Sequence, residues 1–565
     1  MAHPAATTCD GKKKEQREYH DTARCFGLVL LSLIALPLSL AFTLISFLQQ
    51  ALTSKILPTN YQIVGSKEGG ERRKTILVTG VGMSKGLSLA RAFHLSGHRV
   101  VGADFEDVII QGVVMPTVVL PTIPCAARFS RSLDTFYRLP RPSSKGNNAT
   151  SSKDYASFMV HIVKKEKVDL WVSCSAVTAA IDDAVAKEAI NRETRCRCAQ
   201  FDDVTTSLLN NKSTFMRFCR DNGLPIPHTV RVTSPEQVLR VLRDNCGGNE
   251  KDRRKYILKP IDLMDDAYRS RLALLPLALA EKTEEHVRAL PISGVDPWIL
   301  QQYIPGADEY CTHALVVRGQ LRCFVACPST DMLMHYRALE PDDGISVSAR
   351  AFTEQFLSKV PDRRGVTGHL SFDFMAQPGS DPDPDPAPGN SGGVGMKEKK
   401  EEKKKIYAIE CNPRAHTAAV FFAQRGPEMR DMVSAYLSIL DDDDEKETGE
   451  FQIKENKKKR MIISPPRPCL SRYWLAYDLT TLLLQPLLRV VASRPSTETS
   501  REVINSVHLF LLHVLTWKEG TFEAWDPLPW LMLHHVFFPL LILSAWWSGN
   551  RWSRINVSTL KLFKC

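Results

Sequence analysis

Two short segments carry the residue types best suited to chemistry. Gly368-His-Leu-Ser-Phe-Asp-Phe374 and Ile406-Tyr-Ala-Ile-Glu-Cys-Asn412 both read as strands. Side chains alternate along a strand, so Ser371 and Asp373 share a face, as do Glu410 and Asn412. If the two strands pair as a hairpin, two carboxylates and an amide converge. That donor set suits magnesium, a hard cation that fills its remaining positions with water and phosphate oxygens. Arg414 follows Pro413 and offers a planar fork of donors to a phosphate. An acidic strand face in solvent is the plainer alternative. It leaves unexplained why Phe372, Phe374, Tyr407 and Ile409 alternate with the polar set.

Upstream lie groups that could serve a nucleotide. Lys259 sits near the end of the strand-like Arg254–Pro260 and can neutralise phosphate charge. Trp298 to Gly306 reads as a strand running into a turn. Its backbone at Gln302, Tyr303 and Ile304 could read an adenine edge, and Glu309 could take ribose hydroxyls. Lys212 opens a helix expected over 212–219.

These groups need a scaffold. Lys74 to Gly80 reads as a strand, followed by a glycine-bearing turn, a helix over 87–95 and a second strand, HRVVGAD. With a strand at 168–174 and a helix over 178–190, the alternation predicts a parallel sheet covered by helices. The turn contains Gly80, Gly82 and Gly86, with Asp104 downstream. This superficially matches a dinucleotide fingerprint, with the third glycine displaced by one residue, so an NAD enzyme is a minor alternative. Segments 141–153, 244–254, 377–405 and 441–460 are polar and low in complexity, and read as insertions that cannot build a core.

In this order the segments resemble the ATP-grasp superfamily: a lysine-opened helix, GLPIPHT, ILKP, QQYIPGADEY, SFDF and IECNPR. More closely, the chain looks like the mycosporine-glycine synthetases, which join glycine to 4-deoxygadusol using ATP. SGHRVVGADF, PWILQQYIPGADEYCTHALVVRGQLR, IYAIECNPRAHTA and DPLPWLMLHHVFFPLLIL carry that likeness, which runs from about residue 25 onward outside the insertions. It implies an α/β and α+β architecture: a Rossmann-like pre-ATP-grasp domain over 70–200, then an ATP-grasp domain over 205–440 interrupted by 377–405. A linker over 441–466 and a helical region over 467–565 follow. The roles implied are ATP phosphate binding for Lys212 and Lys259, with Lys259 also catalytic. Gln302, Tyr303 and Ile304 would form an adenine hinge, and Glu309 a ribose contact. Asp373, Glu410 and Asn412 would hold magnesium, as two ions, with manganese a substitute. Arg414 would meet the transferred phosphate. His313 and His416, beside these motifs, are candidates for contacting a cyclic enol acceptor. A proline after Lys259 and the long insertion between the metal strands depart from the family pattern and loosen the substrate assignment. A ligase acting on another carboxylate and an inactive membrane-anchored scaffold are the alternatives.

The 565 residues are 44% hydrophobic and 24% charged, ordinary for a multidomain globular enzyme. A net charge of +10 is spread over mixed-sign flanks near 12–24, 397–405 and 454–460, which argues against a nucleic-acid partner. The 14 cysteines form no framework; Cys196 and Cys198 are too close for zinc, and a reducing compartment is expected. Residues 25–48 carry no charge and as one helix would reach about 36 Å, after a polar tail at 1–24. Lys12, Lys13, Lys14, Arg17 and Arg24 would hold the N-terminus in the cytosol, so a single span would place the catalytic body away from ATP. A bend at Pro37, giving a re-entrant or interfacial anchor, resolves that conflict. Leu528–Trp547 forms a second apolar stretch near the other end. The expected location is a membrane surface, with the catalytic body facing the cytosol.

Overall fold

The computed structural model describes residues 5–56, 72–106, 122–142, 151–175, 179–245, 254–261, 272–329, 334–377, 404–441, 461–492, 497–556 and 560–564. The first element corrects an expectation. Residues Ala5–Ile56 form one continuous helix, α1, with Pro37 inside it. Pro37 therefore does not fold the apolar run into a hairpin, and the polar residues from Ala5 onward extend the same helix. A proline removes only one backbone bond from the ladder, and tertiary contacts offset that loss. Here the Ser32 hydroxyl lies 3.0 Å from the His534 carbonyl oxygen, and the Phe26 and Trp546 rings pack edge-on at 5.0 Å.

The expected parallel sheet is present. It comprises β1 (Thr75–Thr79), β2 (Arg99–Asp104), β3 (Thr135–Arg138), β4 (Leu170–Ser173) and β5 (Arg197–Ala199), in the order β3-β2-β1-β4-β5. Its central strand reads Thr-Ile-Leu-Val-Thr, and Ile76, Leu77 and Val78 are fully buried. A continuous apolar run is what a strand covered on both faces requires. The covering helices include α2 (Ser84–Leu95), α3 (Ser152–Glu166) and α4 (Ala180–Glu193). At the start of α3 the Ser151 hydroxyl accepts from the Asp154 amide while the Asp154 carboxylate accepts from the Ser151 amide, a reciprocal cap.

Next come α5 (Asp203–Asn210) and α6 (Lys212–Asp221), then β6 (Thr229–Val232), α7 (Pro235–Asn245), β7 (Tyr256–Pro260), β8 (Leu274–Leu275), α8 (Ala280–Arg288) and β9 (Trp298–Gln302). These strands form an antiparallel sheet, β6-β9-β7-β8. Val238 and Leu242 of α7 and Val287 of α8 close a small core against Tyr256, Leu258 and Leu300.

A larger antiparallel sheet follows. β10 (Asp308–Val317), β11 (Gln320–Pro328), β13 (Gly368–Ala376) and β14 (Ile406–Asn412) run in the order β11-β10-β13-β14. One face buries Phe372 and Phe374 under α9 (Gly344–Lys359), whose Phe352 ring lies 5.3 Å and 5.1 Å from theirs. On β13 the expected alternation thus sends Phe372 and Phe374 into the core and Asp373 to the opposite face. On β14 it fails, since Tyr407 and Ile409 are only half-buried and Ile406, Ala408 and Cys411 fill the core, the register shifting beside Asp373. A short strand, β12 (His335–Tyr336), pairs with β15 (Arg472–Tyr473), which pairs with β16 (Lys518–Glu519). The C-terminal region is largely helical, including Gln485–Ala492, Thr497–Thr516 and a helical run over 528–547. The eleven cysteines from Cys25 to Cys469 whose side chains are described form no disulfide, and all but Cys469 are buried.

Candidate active site

The metal-ligand expectation depended on β13 and β14 pairing in one register. They do pair, antiparallel, with Asp373 opposite Glu410 and Ser371 opposite Asn412. The 26 residues from 378 to 403 lie outside the described residues. Their flanks meet, since the Gln377 amide donates to the Lys405 carbonyl oxygen at 3.2 Å. The described flanks of the insertion therefore meet at the loop end of the hairpin.

Five of the expected residues form one connected cluster, Asp373 and Glu410 being cross-strand partners. The Asn412 amide nitrogen donates to Asp373 Oδ2 at 3.1 Å, and the Arg414 guanidinium donates to Asn412 Oδ1 at 2.8 Å. Lys212 completes it from the first turn of α6. Its ammonium lies 3.6 Å from Glu410 Oε2, although 198 positions separate the two in sequence. The Asn211 side chain caps α6 by accepting from the Ser213 and Thr214 amides, which fixes where Lys212 emerges.

The donor set fits a magnesium nucleotide. Two carboxylates and an amide oxygen on adjoining strands match a hard cation that retains water and phosphate ligands. Arg414 Nε is buried with no hydrogen-bond partner among the described residues. A buried guanidinium donor without an acceptor is costly unless a ligand supplies one. An anionic phosphate oxygen is the acceptor that this fork suits.

The other nucleotide candidates sit on the β6-β9-β7-β8 sheet and its exit. Lys259 on β7 donates to Gln301 Oε1 on β9 at 2.9 Å. The Gln302 amide donates to the His228 carbonyl oxygen and the Tyr303 amide to the Lys255 carbonyl oxygen, both at 2.8 Å. Those two N–H groups are spent holding the hinge, so of the expected trio the Ile304 N–H and the carbonyl oxygens are what can face a base. Glu309 is exposed on β10 and accepts from the Ser329 hydroxyl at 3.0 Å. Of the stretch 260–275 that follows Lys259, residues 262–271 lie outside the described residues.

His313 and His416 come together, and each has a backbone task. His313 Nδ1 accepts from the His416 amide at 3.3 Å, and His416 Nδ1 accepts from the Ala418 amide at 3.2 Å, capping the short 417–421 turn. Both are buried. Burial pushes His313 well below its usual range and His416 down to about 3, Arg414 adding to the latter. Each ring therefore holds the loop after Arg414 in its neutral form.

The residue that sequence reasoning missed is Lys85. It lies in the glycine turn that superficially matched a dinucleotide fingerprint, and its ammonium donates to the Ala415 carbonyl oxygen at 2.6 Å. The turn offers the NAD reading no support. Asp104 Oδ2 accepts from the Gly82 amide at 2.7 Å, so this acid is held inside the turn instead of facing a ribose. A Cβ on Gly82 would come within 2.8 Å of that oxygen, and one on Gly86 within 2.2 Å of the Gly80 carbonyl oxygen. The glycines answer to packing within the protein.

Lys85 is only 3% exposed, and burial, then the nearby Arg414 charge, lower its pKa to about 7. The unfolded chain holds this proton up to the ordinary lysine range, so between about pH 7 and 10 it binds more protons than the folded chain does. Stability supplied through this group therefore rises with pH across that window. Lys85→Met is expected to flatten the rise in Tm between pH 7 and 9 relative to wild type. Parallel Tm profiles for the two proteins would contradict the assignment.

No protein-family model matches the sequence, and no curated protein is significantly similar to it. Solved structures do align with the fold. An N5-carboxyaminoimidazole synthetase from Staphylococcus aureus, complexed with ADP, aligns over 74% of this chain and 86% of its own, with 11% identity and a TM-score of 0.44. An L-amino acid ligase from Bacillus licheniformis aligns over 66% and 75%, with 12% identity and a TM-score of 0.39. The biotin carboxylase domain of Hydrogenobacter thermophilus 2-oxoglutarate carboxylase aligns over 61% and 65%, with 13% identity and a TM-score of 0.39.

Proposed function

We propose that this chain is an ATP- and magnesium-dependent ligase of the ATP-grasp type that forms a carbon–nitrogen bond. The observation that carries the reading is the cross-strand pair Asp373–Glu410, joined by Asn412 and Arg414 and reached by Lys212 from another element. Asp373, Glu410 and Asn412 would hold magnesium, which supplies charge neutralisation at the ATP phosphates. Lys212 and Lys259 would bind those phosphates, and Arg414 would hold the phosphoryl oxygens as charge moves from the γ-phosphate. The Ile304 N–H and its neighbouring carbonyl groups would take the adenine edge, and Glu309 the ribose.

The substrate pair proposed from the sequence resemblance is glycine and 4-deoxygadusol. The latter carries an enolised diketone, a vinylogous carboxylic acid. Its enol oxygen would attack the γ-phosphorus, releasing ADP and a proton. The glycine amine would then add to the ring carbon and expel phosphate, losing its own proton. The neutral His313 and His416 lie beside Arg414, where a cyclic acceptor would sit. ADP release that requires 4-deoxygadusol together with glycine tests this pair. Release with ordinary amino acids and none with 4-deoxygadusol would instead indicate a ligase acting on another carboxylate. Absence of ATP binding in calorimetry would overturn the ligase reading itself.

Two helical stretches, Arg24–Leu52 and Leu528–Trp547, are long and apolar enough to cross a membrane by length and composition. They pack against one another along one side of α1. On its other side Leu33, Ile34 and Leu38 are 61%, 68% and 62% exposed. So much open apolar surface on one helix suits lipid. We infer attachment to a membrane through α1, with the catalytic body in the cytosol. Wild type is expected to pellet with membranes after an alkaline carbonate wash, and a variant with Leu33, Ile34 and Leu38 all changed to Asp to move to the supernatant. An unchanged distribution would contradict this role for α1.

A further inference from the structure

A second cluster of ligand-type side chains lies away from the ATP site. Asp478 is fully buried, and each of its carboxylate oxygens meets a different imidazole. His335 Nε2 lies 2.6 Å from Oδ1, and His513 Nδ1 lies 2.7 Å from Oδ2. The three come from separate segments: His335 from β12, Asp478 from the helical turn after β15, and His513 from the helix Thr497–Thr516. Their ligand atoms all lie within 4.8 Å of one another. Among the described residues Asp478 has no lysine or arginine partner; its ion-pair partners are these two imidazoles. The surroundings are aromatic: the Trp517 ring lies 4.3 Å from His513, and Tyr477 stands edge-on to His335 at 5.5 Å.

We propose that His335, Asp478 and His513 form a binding site for a borderline divalent metal of the zinc type, separate from the magnesium nucleotide. Two imidazoles and one carboxylate are a zinc donor set, and they leave a fourth tetrahedral position for water. Tetrahedral zinc bonds of about 2.1 Å place ligand atoms about 3.4 Å apart. The present ligand atoms, all within 4.8 Å of one another, stand near that spacing. His335, whose side chain is 24% exposed, supplies the solvent-facing side through which an ion and a water can enter. Each neutral imidazole would bind through the nitrogen that now faces Asp478 and carry its proton on the other ring nitrogen. No redox change and no net proton loss is involved. A buried carboxylate with no fixed cation beside it gains most from such a charge.

The consequence is structural. A metal here bonds β12, the chain after β15 and the helix Thr497–Thr516 at one point, fastening the C-terminal helices to the body. Binding of this kind stabilises the folded chain by mass action.

The test uses the full chain, stripped with chelator and free of nucleotide, titrated with zinc chloride by calorimetry. One zinc per chain is expected, with a rise in Tm. Cobalt(II) in its place is expected to give the strong visible absorption of a four-coordinate centre. His335→Ala is expected to weaken zinc binding by about a hundredfold or more, since even losing an outer-shell partner costs 10–100-fold. His513→Gln is expected to do the same; if that variant fails to fold, the partly exposed His335 alone decides. Glu410→Gln is expected to bind zinc like wild type, which separates this site from the magnesium site. No zinc uptake, or equal uptake by wild type and His335→Ala, would overturn the proposal.

Discussion

Glu410→Gln is expected to lower ATP-dependent product formation by about a hundredfold or more, the usual cost of removing one charge stabiliser from a phosphoryl-transfer site. The substitution keeps the shape and removes one negative charge. On β14 the side chain faces Asp373 across the ladder and the Lys212 ammonium at 3.6 Å. Losing the carboxylate weakens one metal position and leaves Lys212 with more unbalanced charge. The magnesium concentration for half-maximal rate is therefore expected to rise, and kcat to fall more than the KM for glycine rises. The fold is expected to persist, because Glu410 is half-buried on the polar face of the sheet while Phe372, Phe374 and Ala408 make the core on the other. Circular dichroism and a denaturation midpoint near wild type check that part. Turnover near the wild-type rate in a folded Glu410→Gln protein would sink the metal assignment.

The acidic hairpin was legible because two-residue periodicity leaves little choice. Once Phe372 and Phe374 are buried, Asp373 must face the other way, and Glu410 and Asn412 must share a face on the partner strand. A 26-residue interruption did not obscure this, but the register shift beside Asp373, which puts Ala408 in the core and Glu410 on the polar face, was not legible from alternation. Lys212 was legible as a helix-opening lysine, although its approach to Glu410 is a tertiary fact. Lys85 was not. A glycine-bearing turn after a first strand serves many purposes, and only the folded packing shows that Asp104 fills it and that Lys85 reaches the Ala415 carbonyl oxygen. The His335–Asp478–His513 cluster was equally hidden, with 143 positions between the first pair and 35 between the second. Local pattern carries no information on contacts of that span. The bend expected at Pro37 failed for the opposite reason. A local rule disfavouring proline in helices gave way to contacts between α1 and the helical run over 528–547.

Asp526→Ala is expected to be the most damaging single change to stability away from the active site. Asp526 and Arg91 form an ion pair at 2.8 Å, with side chains 0% and 5% exposed. Arg91 also donates to the carbonyl oxygens of Thr521 and Asp526, at 2.7 Å and 2.8 Å. Asp526 accepts in addition from the Ser130 hydroxyl at 2.6 Å and the Arg131 amide at 2.9 Å. Every strong polar atom of the pair is thus satisfied, and the pair ties the 518–526 segment to α2 and to the turn before β3. Removing the carboxylate strands the Arg91 charge out of water, and breaking such a buried pair costs about 3–5 kcal/mol. The loss should appear as a large drop in the urea midpoint with little change in m. The double change Arg91→Met with Asp526→Leu removes the stranded charge along with the contact, and is expected to recover much of that loss. Such recovery identifies desolvated charge, not lost packing, as the source of the damage. A loss below about 1 kcal/mol in Asp526→Ala, the range of exposed pairs, would mean that water reaches Arg91 in the folded chain.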